Sequence, residues 1–172
     1  MEKSIILIGF MGVGKTTIGK ELAVKLQCGF IDIDAKIEAD FGIPAVDIFH
    51  KHGEAAFRKK EKELIIDACH QEVKVISVGG GAFMQREIRD ACMEHGIVVF
   101  LDMSWEHWKN RLSLLLPTRP ILQGKNEGEI KQLFEERQAI YQHHHIRVHI
   151  DGLGVTNAAE AIYDELRLQQ LV

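Results

Sequence analysis

The chain has 172 residues, enough for one domain with a proper core, and its 46% hydrophobic and 27% charged residues are ordinary for a soluble globular protein. A formal net charge of −4, with no long block of lysine or arginine, argues against a nucleic-acid partner. No apolar run reaches membrane-spanning length, no signal peptide precedes the first strand, and the three cysteines are scattered, so we expect a cytoplasmic protein without membrane contact.

Strand and helix patterns alternate along the chain from end to end. The predicted strands are residues 4–8, 30–34, 73–78, 97–101 and 146–150. The predicted helices are residues 18–26, 35–41, 54–70, 83–95, 104–115, 129–144 and 156–171. Residues 43–49 are predicted as an apolar turn and residues 116–128 as irregular chain. The alternation predicts one α/β domain over residues 1–172, a three-layer α/β/α fold with a central five-stranded parallel sheet whose ligands bind at the carboxyl ends of the strands.

The stretch from Gly9 to Thr17 carries the most specific motif in the chain, because it satisfies G-x-x-x-x-G-K-[ST] between a strand and a helix. Its glycines let backbone N–H groups close around a polyphosphate at the start of a helix. Lys15 would reach the β- and γ-phosphates, and Thr16 would offer its hydroxyl to Mg²⁺. The expected ATP-binding residues of this P-loop are Gly12, Val13, Gly14, Lys15, Thr16 and Thr17. A purine nucleoside triphosphate with Mg²⁺ is therefore the expected ligand.

Asp32 and Asp34 end the second predicted strand. Because side chains alternate along an extended strand, both carboxylates should lie on one side, close to the P-loop. Near Mg²⁺·ATP, one of the two could hold a metal-bound water and the other could accept a proton or hydrogen bond from an acceptor hydroxyl. Capping of the following helix is the alternative role for both. Asp102, which ends a strand of Walker B appearance, ranks below Asp32 as a metal residue.

Three arginines and a run of glycines complete the candidates. Gly79-Gly80-Gly81 permits a second close approach of the backbone to a ligand, with a tight turn as the alternative. Arg119 lies in a segment expected to form a mobile lid over residues 113–127, where it could neutralise charge on a transferring phosphoryl group or simply be a solvated loop residue. Taken alone, Arg58 fits a surface ion pair and Arg137 a solvated helix face.

Together, in this order and spacing, these motifs resemble the shikimate kinase family, a branch of the nucleoside-monophosphate-kinase-like P-loop kinases. The shared features are the P-loop, Asp32 with Asp34, Ile48-Phe49, the G-E-x-x-F-R block ending at Arg58, Glu61, the triple glycine, the R-P-I-L piece from Arg119, and R-x-x-x-Y from Arg137 to Tyr141. The resemblance implies transfer of the γ-phosphate of ATP to the 3-hydroxyl of shikimate, a step of aromatic amino acid (chorismate) biosynthesis. We expect the protein to act as a monomer.

The resemblance also implies roles for individual residues. The implied substrate-binding residues are Asp34, Arg58, Gly80, Gly81 and Arg137. Forked arginines would bind the planar carboxylate of shikimate, while Asp34 would hold the ring hydroxyls and act as base. Lys15 and Arg119 would stabilise the transferring phosphoryl group. Residues 33–61 would form the acceptor-binding region.

Two rival functions remain compatible with the residues. Another small kinase on this scaffold, such as a gluconate kinase, would also use arginines to bind a carboxylate. A nucleotide-dependent switch or ATPase would need no acceptor, but the chain has no N-K-x-D guanine signature and its acceptor side is crowded with polar residues. An acceptor-dependent assay separates these functions.

Overall fold

In the computed structural model, which describes residues 2–172, five strands form one parallel sheet in the order β2-β3-β1-β4-β5. The strands are β1 Ser4–Ile8, β2 Gly29–Asp32, β3 Lys74–Ser77, β4 Gly96–Asp102 and β5 Ile146–His149. In the centre of the sheet, Ile6 of β1 is in register with Ile76 of β3 and Val98 of β4. All five residues of β1 are buried, so both faces of the sheet are covered, since neighbouring side chains point to opposite faces.

Helices connect the strands and cover the sheet. They are α1 Lys15–Leu26, α2 Ile33–Phe41, α3 Ala45–His52, α4 Glu54–Cys69, α5 Arg86–His95, α6 Trp105–Trp108, α7 Leu112–Leu115, α8 Glu127–Ile140 and α9 Val155–Leu168. Short 3₁₀ turns lie at Ala82–Met84, Lys109–Arg111, Leu116–Thr118 and Pro120–Leu122. α1 packs against α9, and α4 packs against α5. The predicted α/β/α fold with a five-stranded parallel sheet is confirmed. None of the helices formed by residues 2–172 has both the length and the hydrophobicity needed to span a membrane.

An aromatic cluster fixes the start of the P-loop to the helices around it. Phe10, directly after β1, packs edge-on against Trp108 of α6 with ring centroids 4.8 Å apart, and against Phe134 of α8 at 5.0 Å. The indole N–H of Trp108 donates to the carbonyl oxygen of Met11 at 2.6 Å. Rings packed in this geometry stabilise a core beyond the area they bury. The cluster therefore holds the phosphate-binding loop in a defined position relative to α6 and α8.

Three predicted segments differ here from the structure. The apolar stretch 43–49 is not a turn, because α3 begins after Pro44 and buries Ile48. Gly42 and Pro44 are typical turn residues and favoured the prediction of a turn, although proline is well tolerated at the start of a helix. The predicted helix 104–115 begins as expected at the N-cap Ser104 but is divided by a 3₁₀ turn, and α8 begins at Glu127, not at residue 129, behind a capping box formed by Asn126.

Candidate active site

The P-loop leaves β1 at its carboxyl end and leads directly into α1, which begins at Lys15. Gly12 and Gly14 have φ angles of 77° and 103°, values that disfavour any residue with a side chain. Gly12, Gly14, Lys15, Thr16 and Thr17 all line one pocket at the start of α1, whereas Val13 is buried beneath it. The start of α1 is thus suited to an anion, with backbone N–H groups at the positive end of a helix.

Lys15 holds a positive charge in the interior of this loop. Its ammonium donates to the carbonyl oxygens of Gly9 at 2.7 Å and Phe10 at 3.0 Å, and the residue is only 8% exposed. Burial, together with the charge of Arg119, lowers the pKa of Lys15 to about 8, although Asp34 and Asp32 oppose the shift. A group in this state gains by meeting an anion, which restores its ordinary pKa.

Asp32 has two roles, one for each carboxylate oxygen. Its Oδ1 accepts from the backbone N–H of Ala35 at 3.0 Å and so caps α2. Its Oδ2 accepts from the hydroxyl of Thr16. Within residues 2–172, no group of three or more histidine, cysteine and acidic side chains is arranged to hold a metal alone. The adjacent Thr16 and Asp32 oxygens nevertheless suit Mg²⁺, which prefers oxygen ligands and commonly completes its shell with water and phosphate.

The prediction that Asp32 and Asp34 share one face of an extended strand is wrong. β2 ends at Asp32, and Asp34 lies in the first turn of α2. The turn still directs Asp34 into the site, where its Oδ2 is 3.9 Å from Arg119 Nη1. Its Oδ1 is buried and has no hydrogen-bond partner in the described chain. Burial raises the pKa of Asp34, Asp32 raises it further, and Arg119 and Lys15 oppose the shift.

A second pocket, of about 470 Å³, opens beside the P-loop pocket, whose volume is about 950 Å³. The second pocket is lined by Met11, Asp34, Ala45, Phe49, Phe57, Arg58, Glu61, Gly79, Gly80, Gly81 and residues 118–121. The residues that line both pockets are Met11, Asp34, Gly79, Gly80 and Arg119. Asp34 and Arg119 therefore lie at the boundary between the P-loop pocket and the second pocket.

Arg58 is held in the wall of the second pocket by a buried acid. Its Nη1 donates to Glu61 Oε1 at 2.9 Å, which also accepts from Gln85 Nε2 at 3.2 Å. Glu61 is fully buried, and burial raises its pKa although Arg58 opposes the shift. The ion pair expected from the sequence is present, but it is not on the surface. It orients a guanidinium toward the cavity instead.

Arg137 of α8 is buried as well, contrary to the solvated face that its position in the sequence suggests. The residue is 7% exposed, and its Nε and Nη1 have no hydrogen-bond partner among residues 2–172. Burial lowers the pKa of Arg137, and the nearby charge of Arg58 lowers it further. It lines neither pocket directly. A buried guanidinium with unpaired donors is costly, so Arg137 would be stabilised by a negative group that reached it.

Each glycine of the triple glycine allows a different close contact. A Cβ atom at Gly79 would lie 2.7 Å from Asp34 Oδ1, and one at Gly81 would lie 2.5 Å from Arg58 Nη2. A Cβ atom at Gly80 would lie 3.0 Å from the backbone nitrogen of Met11 in the P-loop. A tight turn alone would not need glycine at three successive positions. The three glycines therefore bring the backbone close to the P-loop and to Asp34 and Arg58.

The segment predicted as a lid contributes residues 118–121 to the lining of the second pocket. Arg119 lies between two 3₁₀ turns and lines both pockets, and its Nε has no partner in the described chain. Arg111 Nη1, just before this segment, donates to the carbonyl oxygen of Gly12 at 2.7 Å. Leu115 packs directly against Gly12, because a Cβ atom on Gly12 would lie only 2.5 Å from Leu115 Cδ1. No sequence pattern indicated that Arg111 and Leu115 would contact the P-loop.

Asp102 lies outside the site. Its carboxylate accepts from Arg147 Nε at 2.9 Å and is 3.0 Å from His149 Nδ1 on the neighbouring strand β5. It lines neither of the two pockets. Of these two aspartates, only Asp32 reaches Thr16, and the ranking of Asp32 above Asp102 as a metal residue stays a prediction.

Comparisons with known proteins agree with this arrangement. Residues 11–167 match the family model described as shikimate kinase. The shikimate kinase of Oceanobacillus iheyensis is 52% identical over 97% of this chain and 91% of that protein, and the Bacillus subtilis one is 49% identical over 97% and 90%. A solved shikimate kinase from Acinetobacter baumannii, in complex with shikimate, superposes with a TM-score of 0.90 at 30% identity, over 99% of this chain and 96% of that one.

Proposed function

The chain belongs to the shikimate kinase family, and on that premise we propose that it transfers the γ-phosphate of ATP to the 3-hydroxyl of shikimate, giving shikimate 3-phosphate and ADP. One observation carries the proposal: the P-loop pocket and the second pocket meet at Asp34 and Arg119. A donor phosphate and an acceptor hydroxyl would face each other at that boundary, and positioning of this kind accounts for much of phosphoryl transfer catalysis.

In the donor half, the N–H groups of the P-loop and the ammonium of Lys15 bind the β- and γ-phosphates. Arg119 approaches from the lid and stabilises the charge that spreads over the transferring group. Thr16 and Asp32, whose oxygens lie side by side, would hold Mg²⁺ directly or through water. A cation held there would supply positive charge against the phosphates.

In the acceptor half, we assign the carboxylate of shikimate to Arg58 and Arg137, with the Gly80 and Gly81 backbone beside them. Both guanidinium groups are buried or nearly so, and Arg137 has free donors. Asp34 orients the 3-hydroxyl and accepts its proton as the oxygen attacks phosphorus. Phe49 and Phe57, whose rings pack edge-on at 5.0 Å, form an apolar wall.

The lid, residues 113–127, closes over the acceptor and excludes water from the transferring phosphate. Residues 33–61 form the acceptor-binding region, and a single chain supplies both halves of the site, so we propose that the protein works as a monomer. We place the reaction in the cytoplasm, since Cys28, Cys69 and Cys92 are free thiols.

The test is ADP formation from Mg²⁺·ATP with shikimate, with gluconate and with no acceptor. We expect shikimate alone to raise the rate at least a hundredfold above the rate without acceptor, because water is excluded from the closed site. Stimulation by gluconate instead would identify another small-molecule kinase. A rate that no acceptor changes would identify an ATPase or a nucleotide switch.

The pKa of Lys15 predicts proton uptake when ATP binds. With a pKa of about 8 before binding, Lys15 is about half neutral at pH 8. The phosphates favour its charged form and raise the pKa, so binding at pH 8 should take up about half a proton, and almost none at pH 6.5. Calorimetry in buffers of different ionisation enthalpy measures this uptake. A Lys15→Met variant provides the control, and equal uptake in that variant would contradict the assignment.

A further inference from the structure

Tyr141 connects α8 to the triple glycine. It follows α8 directly, four residues after Arg137, whose carbonyl oxygen accepts the Tyr141 N–H at 3.0 Å. It is 1% exposed, and its ring lies 5.3 Å from that of Phe100 in β4. Its hydroxyl donates to the carbonyl oxygen of Gly80 at 2.5 Å. Burial raises the pKa of Tyr141, so the hydroxyl remains a donor throughout the neutral range.

This hydrogen bond sets the direction of one peptide unit. The Gly80 carbonyl and the Gly81 N–H belong to the same planar trans peptide, so they point in opposite directions. With the carbonyl bound to Tyr141, the Gly81 N–H points away from the tyrosine hydroxyl. Within residues 2–172, the N–H groups of Gly80 and Gly81 donate to no backbone or side-chain atom. Both residues line the second pocket. Gly81 also lies against the Arg58 guanidinium.

Backbone hydrogen bonds flank this peptide, from the Ala82 N–H to the Gly79 carbonyl oxygen and from the Met84 N–H to the Gly81 carbonyl oxygen, each at 3.1 Å, but neither is made by the Gly80 carbonyl or the Gly81 N–H. On the P-loop side, Gly80 lies against the backbone of Met11, whose own carbonyl is held by Trp108. Three successive glycines leave the backbone more conformational freedom than any other residues would. The bond from Tyr141 is therefore the main polar restraint on the Gly80–Gly81 peptide.

We propose that Tyr141 is a positioning residue for the acceptor. Its hydroxyl orients the Gly80–Gly81 peptide so that the Gly81 N–H donates to the carboxylate of shikimate beside Arg58. This inference rests on the proposed function, because it assigns the carboxylate to this end of the pocket. Tyr141 touches the glycine backbone and acts through it.

The test is Tyr141→Phe, which keeps the ring and removes only the hydroxyl. We expect the Kd and KM for shikimate to rise about tenfold, because the donor loses its orientation and the Gly80 carbonyl loses its partner. The Kd for ATP and the kcat at saturating shikimate should change less than twofold. Tyr163→Phe, the same change at the chain's other tyrosine, on α9 far along the sequence, is the matched control and should alter none of these values.

The proposal would be overturned if folded Tyr141→Phe bound shikimate with unchanged affinity. It would also be overturned if the affinity for ATP fell as much as that for shikimate, because a general loosening of the fold would weaken both. If the variant does not fold, ¹⁵N NMR of the wild type decides the matter. The Gly81 amide should shift strongly when shikimate binds, and no shift would overturn the proposal. A wild type that does not bind shikimate would instead overturn the proposed function, and this inference with it.

Discussion

Asp34→Asn should lower kcat for shikimate phosphorylation about a thousandfold, because it removes the only carboxylate shared by the two pockets among the described residues. The amide keeps the size of the side chain but cannot take the proton of the acceptor hydroxyl. Steady-state kinetics with saturating ATP and shikimate measure the effect. We expect the Kd for ATP to change little, since the P-loop contacts remain.

The stability of this variant makes the kinetic result easy to interpret. The pKa of Asp34 is raised in the folded protein, so the folded state disfavours the charged carboxylate at neutral pH. Asparagine carries no charge, and the variant should unfold at the same temperature as the wild type or higher. Asp102→Asn is the matched control at the end of β4 and should keep kcat within twofold. A comparable loss in Asp102→Asn, or normal kcat in Asp34→Asn, would remove Asp34 from its assigned role.

Arg58 and Arg137 should behave alike in substrate binding and differently in stability. Replacing either one, in Arg58→Ala or Arg137→Met, should raise the KM for shikimate about a hundredfold with little change for ATP, since each loses charge-assisted hydrogen bonds to the carboxylate. Arg58→Ala leaves the fully buried Glu61 without its cation and should lower the free energy of unfolding by about 3 kcal/mol. Arg137→Met removes a buried guanidinium with unused donors and should not destabilise the free protein.

Thermal unfolding with and without shikimate measures both effects. Shikimate should raise the Tm of the wild type and fail to raise that of either variant at the same concentration. Arg86→Met, at an arginine whose side chain is 82% exposed on α5, is the control and should match the wild type. A normal KM for shikimate in Arg137→Met would show that this buried cation serves the fold alone.

The parts of the fold that depend on local pattern could be predicted from the sequence. Apolar runs placed the strands, since a strand buried on both faces needs them, and the P-loop motif predicted a helix directly after it, although α1 begins at Lys15, before the predicted start at residue 18. The boundary after Asp32 could not be located in this way. Extension of β2 by two residues and the first turn of α2 are both compatible with Asp32-Ile33-Asp34, and capping by Asp32 decided in favour of the helix.

Contacts between distant residues were beyond the reach of sequence patterns. Trp108 bonds to Met11 across 97 residues, and Arg111 bonds to Gly12 across 99. The burial of Arg137 likewise depends on where α8 docks, since one polar residue on a helix face does not indicate which elements will cover it. Only the resemblance to a known family made Arg58 and Arg137 candidates for substrate binding. Helical periodicity alone favoured solvent-exposed positions for both.

The most direct test of the central claim is ³¹P NMR of the reaction of this protein with Mg²⁺·ATP and shikimate. The account predicts a new phosphate monoester whose phosphorus couples to the ring proton at carbon 3, growing in step with ADP. Formation of inorganic phosphate and ADP alone, or of a monoester at another hydroxyl, would contradict the account. The first result would mean that the acceptor pocket does not deliver a hydroxyl to Asp34, and the second that it orients the ring differently.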